Sequence, residues 1–126
     1  MSEVPDPEAI LVAALRAQPT VTAWVGTRIA TRLGAIFPAV RVRLISGPSR
    51  PVINTGRPVL QWESWADSEA AAARVAQAID GVADSLAGTY TPGKIIASWG
   101  LGQYFHSDDD ASTRTRYIGQ IGLLTQ

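Results

Sequence analysis

Apolar positions in the middle of the chain change their period at one point. From Pro58 to Trp65 the pattern is that of a strand, and it ends in two tryptophans. Beyond it Ala72, Val75, Ile79, Val82 and Leu86 recur at three- and four-residue steps, which predicts an amphipathic helix over Asp67–Ala87. Asp67 is the expected N-cap, because its carboxylate can accept from free amides of the first turn. Glu69 suits the positive end of the helix dipole. Gly88 is the expected stop. Gly81, inside the helix, costs about 1 kcal/mol relative to alanine, and is expected to mark a close approach to another backbone. The stripe is small-sided, so the helix is expected to lie close on a sheet made bulky by Trp62, Trp65 and Trp99.

The same reading covers the rest of the chain. Met1–Pro5 is a loose tail. Asp6-Pro7-Glu8 is a helix start of cap, proline and acid, and Leu11, Ala14 and Leu15 form one face of a helix running to about Ala17. Pro19–Val25 is a further short helical turn anchored by Trp24, and Gly26 breaks it. Arg28–Leu33 is a weakly alternating strand. Ala39–Ser46 is a clear half-buried strand, with Val40, Val42 and Leu44 on one face and Arg41 and Arg43 on the other. Residues 47–56 contain two prolines and two glycines and read as a flexible arm or loop. Gly88–Gly93 is a turn. Ile95–Phe105 is a long strand with Ile95, Ala97, Trp99, Leu101 and Phe105 on one face. His106–Thr113 is a polar loop. Arg114–Thr125 is the last strand, with Tyr117, Ile121 and Leu123 on one face, Ile118 and Leu124 on the other, and burial against another subunit expected. The expected fold is one α+β domain over residues 1–126, in the order α-β-β-β-α-β-β. Its mostly antiparallel sheet of about four to five strands carries two helices on one face.

Composition narrows the function classes. A hydrophobic content of 46% predicts a folded chain. No cysteine is present, which removes disulfides, thiolate metal sites and a thiol nucleophile. No apolar run approaches the roughly 20 residues of a membrane helix. The first residues lack the basic and apolar regions of a signal peptide, so a cytosolic or virion protein is expected. Net charge is zero but segregated: seven arginines and no acid lie between Ala9 and Trp62, and eight acids lie between Glu63 and Thr113. Two readings follow. The halves complement each other between copies of the chain, or folding interleaves them and cancels the asymmetry.

Candidate chemistry is thin. His106 precedes Asp108, Asp109 and Asp110, and such a cluster can hold a divalent cation. The four are nearly contiguous and lack the spaced ligands of a calcium loop, so a solvated loop is the preferred reading. With one histidine a hydrolase triad is not expected. No glycine-rich stretch opens a helix, so a phosphate cradle is not supported. Arg41 and Arg43 on one strand face, with Arg28, Arg32, Arg50 and Arg57 nearby in sequence, could touch nucleic acid or form a solvated or inter-subunit basic face. Trp62 and Trp65 must point to opposite faces of a regular strand, and the exposed member is expected at an interface. No catalytic, cofactor or metal residue is assigned. The candidate interface comprises Arg41, Arg43, Arg50, Arg57, Trp65, Asp108, Asp109 and Asp110. Removing charge at Arg41 and Arg43 is expected to impair assembly more than folding.

The opening DPEAILVAALRAQPTVTAWVGTRIATRL, with its Val25-Gly26-Thr27-Arg28-Ile29 turn, the strand PAVRVRLI, the block LQWESWADSEAAAARVAQAIDGVADSL and a last strand opened by Arg114-Thr115-Arg116-Tyr117 together resemble a known family. It is that of the tail terminator, or tail completion, proteins of long-tailed bacteriophages. The resemblance spans nearly the whole chain and is one of element order. It implies a structural, non-enzymatic virion protein that needs no cofactor. Such a protein forms a homo-oligomeric ring, a hexamer, on the head-proximal end of the tail tube, where it ends polymerisation and offers a surface for head–tail joining. Its implied partners are the major tail tube protein and a head–tail connector protein, with DNA only passing through the lumen. Another neck component and a small arginine-rich nucleic-acid-binding domain are the alternatives.

Overall fold

A computed structural model describes residues 6–46, 57–91, 93–107 and 115–126, the side chains of residues 46 and 103–107 excepted. Three helices pack on one face of a six-stranded sheet. In chain order these are α1 (Pro7–Arg16), α2 (Pro19–Val25), β1 (Ile29–Ala30), β2 (Ala39–Ser46), β3 (Val59–Ala66), α3 (Glu69–Val82), β4 (Gly88–Tyr90), β5 (Gly93–Ser107) and β6 (Thr115–Thr125). The strands lie in the order β1-β2-β3-β6-β5-β4. All pairs are antiparallel except β1 with β2, which is parallel. The α+β class therefore stands, and the strand and helix counts rise. The extra helix is α2, started by a proline at its first turn. The extra strand is β4, taken from the segment expected to be a turn.

The central helix is shorter than its pattern predicts. Ser68, not Asp67, caps α3 by accepting from the Ala71 amide at 3.2 Å. The helix ends at Val82, and Gly88 opens β4 instead of closing the helix. The apolar spacing continues past Val82 only because Ala83 and Leu86 stay buried in the turn that follows. Gly81 makes no close approach, since a Cβ there would meet nothing within 4 Å.

The core lies between the helices and one face of the sheet. Ile10, Leu11, Ala14 and Leu15 of α1, Val75, Ala76 and Ile79 of α3, and Val42, Leu60, Trp62, Ile121 and Leu123 of the sheet are all buried there. Ser64 Oγ donates to Ala72 O at 3.0 Å and ties α3 to β3. Trp62 lies directly across from Gly119, whose missing side chain makes room for the indole: a Cβ there would overlap the ring. Trp99 of β5 stands in the same relation to Gly122 on the opposite face of β6.

That second pair corrects the expected facing of β5. The register shifts between Ile95 and Ala97, and again between Gly100 and Gln103. Such irregularities re-aim side chains, so Ile95 joins the helix-side core while Trp99 and Leu101 do not. His106 and Ser107 belong to β5, not to a loop. The expected arm at 47–56 lies outside the described residues, as do residues 1–5.

Candidate subunit interface

The sheet face away from the helices carries a polar cluster built by strand alternation. Arg41 on β2, Gln61, Glu63 and Trp65 on β3, and Arg116 on β6 meet there through cross-strand register. Glu63 is its centre and is only 1% exposed. Its Oε1 accepts from Arg41 Nε at 2.7 Å and from Trp65 Nε1 at 3.1 Å. Its Oε2 accepts from Gln61 Nε2 at 2.8 Å and lies 3.4 Å from Arg116 Nη1. The Arg116 guanidinium stacks 5.0 Å from the Trp65 ring centroid, a favourable cation–π geometry. A buried carboxylate is tolerable only when paired and hydrogen-bonded, and Glu63 has both.

This cluster changes the standing of two predicted interface residues. Arg41 is held within the subunit by Glu63, and Trp65 is buried beneath Arg116. Trp62 and Trp65 do point to opposite faces, yet neither is the exposed member expected of the pair. Arg43 and Arg57 are exposed. Arg50, Asp108, Asp109 and Asp110 lie outside the described residues. The two charge halves are partly interleaved, since Arg41 of the basic half meets Glu63 at the start of the acidic half.

Exposed apolar residues gather elsewhere, and they include Leu44, Trp99 and Leu101, which the periodicity had placed on the same faces as buried Val42 and Ile95. On β5 these are Ile96, Trp99 and Leu101, and on β2 Leu44 and Ile45. The register shift at the end of β2 and those in β5 lie beside these residues. A run of apolar residues interrupted by Gly100 and Gly102 was the one available signal. Trp24 is also exposed, with Arg74 of α3 lying 5.6 Å from its ring centroid.

Two further concave features remain among the described residues, one of them a wide shallow groove of about 510 Å³ along α1, lined by Asp6, Val12, Arg16 and Thr31 among others. A cavity of about 250 Å³ beside β1 is lined by Arg28, Arg32, Ile36, Ala39 and Val40 among others, and Arg28 Nε there donates to Pro38 O at 2.8 Å. Among the described residues no group of three or more His, Cys, Asp or Glu could hold a metal. Burial raises the pKa of Tyr90, whose hydroxyl donates to Leu86 O at 2.8 Å in a purely structural bond. No described helix is long and apolar enough to cross a membrane.

No protein-family model matches the sequence, and no curated protein does. A solved chain from the "Virion of native gene transfer agent (GTA) particle" matches in structure with a TM-score of 0.68. The match covers 94% of this chain and 93% of that one at 17% sequence identity. At that identity the likeness is one of fold.

Proposed function

We propose that this chain is a structural component of a phage-type virion, and within it the ring-forming protein that closes the head-proximal end of a tail tube. The fold shared over nearly the full length of a virion-particle chain carries this reading. The opening helix, the Val25–Ile29 turn and the strand-to-helix block resemble tail terminator proteins, which favours the tail end over other virion positions. The sheet supports it as well. A buried ion-pair cluster and two Trp–Gly packings join β2, β3, β6 and β5 across the sheet, while its exposed apolar residues sit near the sheet margins. Margins of that kind suit contacts between subunits.

The proposed partners are further copies of the chain, a tail tube protein and a connector. The proposed mode is assembly without catalysis or cofactor. A nucleic-acid-binding role loses ground, because Arg41 is neutralised by Glu63 within the fold. Electron microscopy of the purified chain added to open tail tubes tests the reading. Density capping the head-proximal end is expected. Density on the head side of the neck instead would replace the terminator reading by that of a connector.

A further inference from the structure

The register sorts the sheet residues onto two faces. Trp62 opposite Gly119 and Leu60 opposite Ile121 belong to the helix side. Gly100 does too, since a Cβ there would meet Ala83 at 3.2 Å. Its neighbours Trp99 and Leu101 therefore point to the other side, where the Trp99 indole lies over Gly122. Val59 lies across from Gly122, and Ala97 across from Leu124, on that same side. These side chains form one apolar patch across β3, β6 and β5, with Trp99 39% and Leu101 48% exposed. Gln61, Gln120, Arg43 and Lys94 border it. None of the three helices packs on this side. An apolar patch with a polar rim suits a protein contact.

The two sides of the subunit carry opposite charge. On the helix-free sheet face Arg41, Arg43, Lys94 and Arg116 stand against one carboxylate, Glu63. The helices and the residues that cap and follow them carry Asp6, Glu8, Asp67, Glu69, Asp80 and Asp84 against Arg16 and Arg74. The helix layer also presents Trp24, 46% exposed, with Arg74 5.6 Å from its ring centroid. Each side thus has an exposed tryptophan, the residue type most enriched at energetic centres of interfaces. Charge decides which sides can meet. Sheet face on sheet face opposes cations with cations, and helix layer on helix layer opposes carboxylates with carboxylates. Sheet face on helix layer brings unlike charges together.

We propose that the helix-free sheet face of one copy docks on the helix layer of the next. This deepens the ring reading and rests on it. The contact joins two different surfaces of one chain, so it is heterologous, and its repetition closes a ring or runs on as a filament. It covers the Trp99 patch and sets Arg43 and Lys94 against the carboxylates of α3.

The test exchanges the charge of one side at a time. Arg43→Glu with Lys94→Glu makes the sheet face acidic, and Gln77→Lys with Asp80→Lys makes the outer side of α3 basic. All four positions are exposed, and thermal melts check that both variants fold like the parent. Should a double variant melt early, Arg43→Glu and Asp80→Lys alone repeat the test. Association is read by light scattering, with and without open tail tubes. Each variant alone is expected to associate about tenfold more weakly than the parent, because its two sides then carry like charge. An equimolar mixture is expected to regain the parent's assembly, since every sheet face then finds a helix layer of opposite charge. Variants that each assemble like the parent overturn the docking and leave the ring reading intact. A mixture that stops at two chains shows like sides pairing and overturns the docking, and so does a mixture that stays apart. A parent that is monomeric in both settings overturns the docking and the ring reading together.

Discussion

Arg41 Nη2 lies 2.7 Å from Glu63 Oε1, joining the basic first half of the chain to the first acid of its second half. Glu63 is buried, so this is not an ordinary surface pair. Breaking such a pair by removing one partner strands the other's charge. Glu63→Ala is expected to lower unfolding free energy by about 3 kcal/mol, read from denaturant melts.

The same relationship separates two neighbouring arginines. Arg41→Ala removes the stronger partner of Glu63 and is expected to destabilise by about 2 kcal/mol. Arg43 is exposed on the same face, and Arg43→Ala is expected to stay within about 0.5 kcal/mol of the parent. Equal effects in parallel melts contradict this division.

Trp62 over Gly119 and Trp99 over Gly122 are alike in geometry but not in surroundings. Trp62 is 1% exposed and has nowhere to move, so Gly119→Ala is expected to cost about 3 kcal/mol from overpacking. Trp99 is 39% exposed and can swing outward, so Gly122→Ala is expected to cost about 1 kcal/mol. Thermal melts and tryptophan fluorescence of the two variants check the order.

Gly81 lies exposed within α3, and a Cβ there meets nothing within 4 Å. Gly81→Ala is expected to stabilise by about 0.5–1 kcal/mol through helix propensity. Ser68→Ala is expected to cost about 1 kcal/mol by removing the cap. Both are read as shifts in denaturation midpoint.

How much of this was legible in the sequence depended on the range of the forces involved. The strands around Val40–Leu44 and Leu60–Trp65 were visible because alternation is local. The capping residue was one position off, because Asp67 and Ser68 are both good caps and only the structure shows whose oxygen faces the Ala71 amide. β1 was overextended and β4 missed, because each is held mainly by pairing with a longer strand. The faces of β5 were misread because two register shifts break its period. Glu63 escaped notice altogether: its arginine partners lie 22 and 53 residues away, and no local pattern brings them together. Of the predicted interface, Arg43 and Arg57 are exposed, while Arg41 and Trp65 are engaged within the subunit.

The account stands most directly on the mass of the assembled chain. Light scattering on the purified protein, alone and mixed with open tail tubes, measures it. The account predicts a closed particle of about six 13.4 kDa subunits, formed either freely or on the tube end. A chain that stays at 13.4 kDa in both, and instead binds duplex DNA with a steep salt dependence, contradicts it.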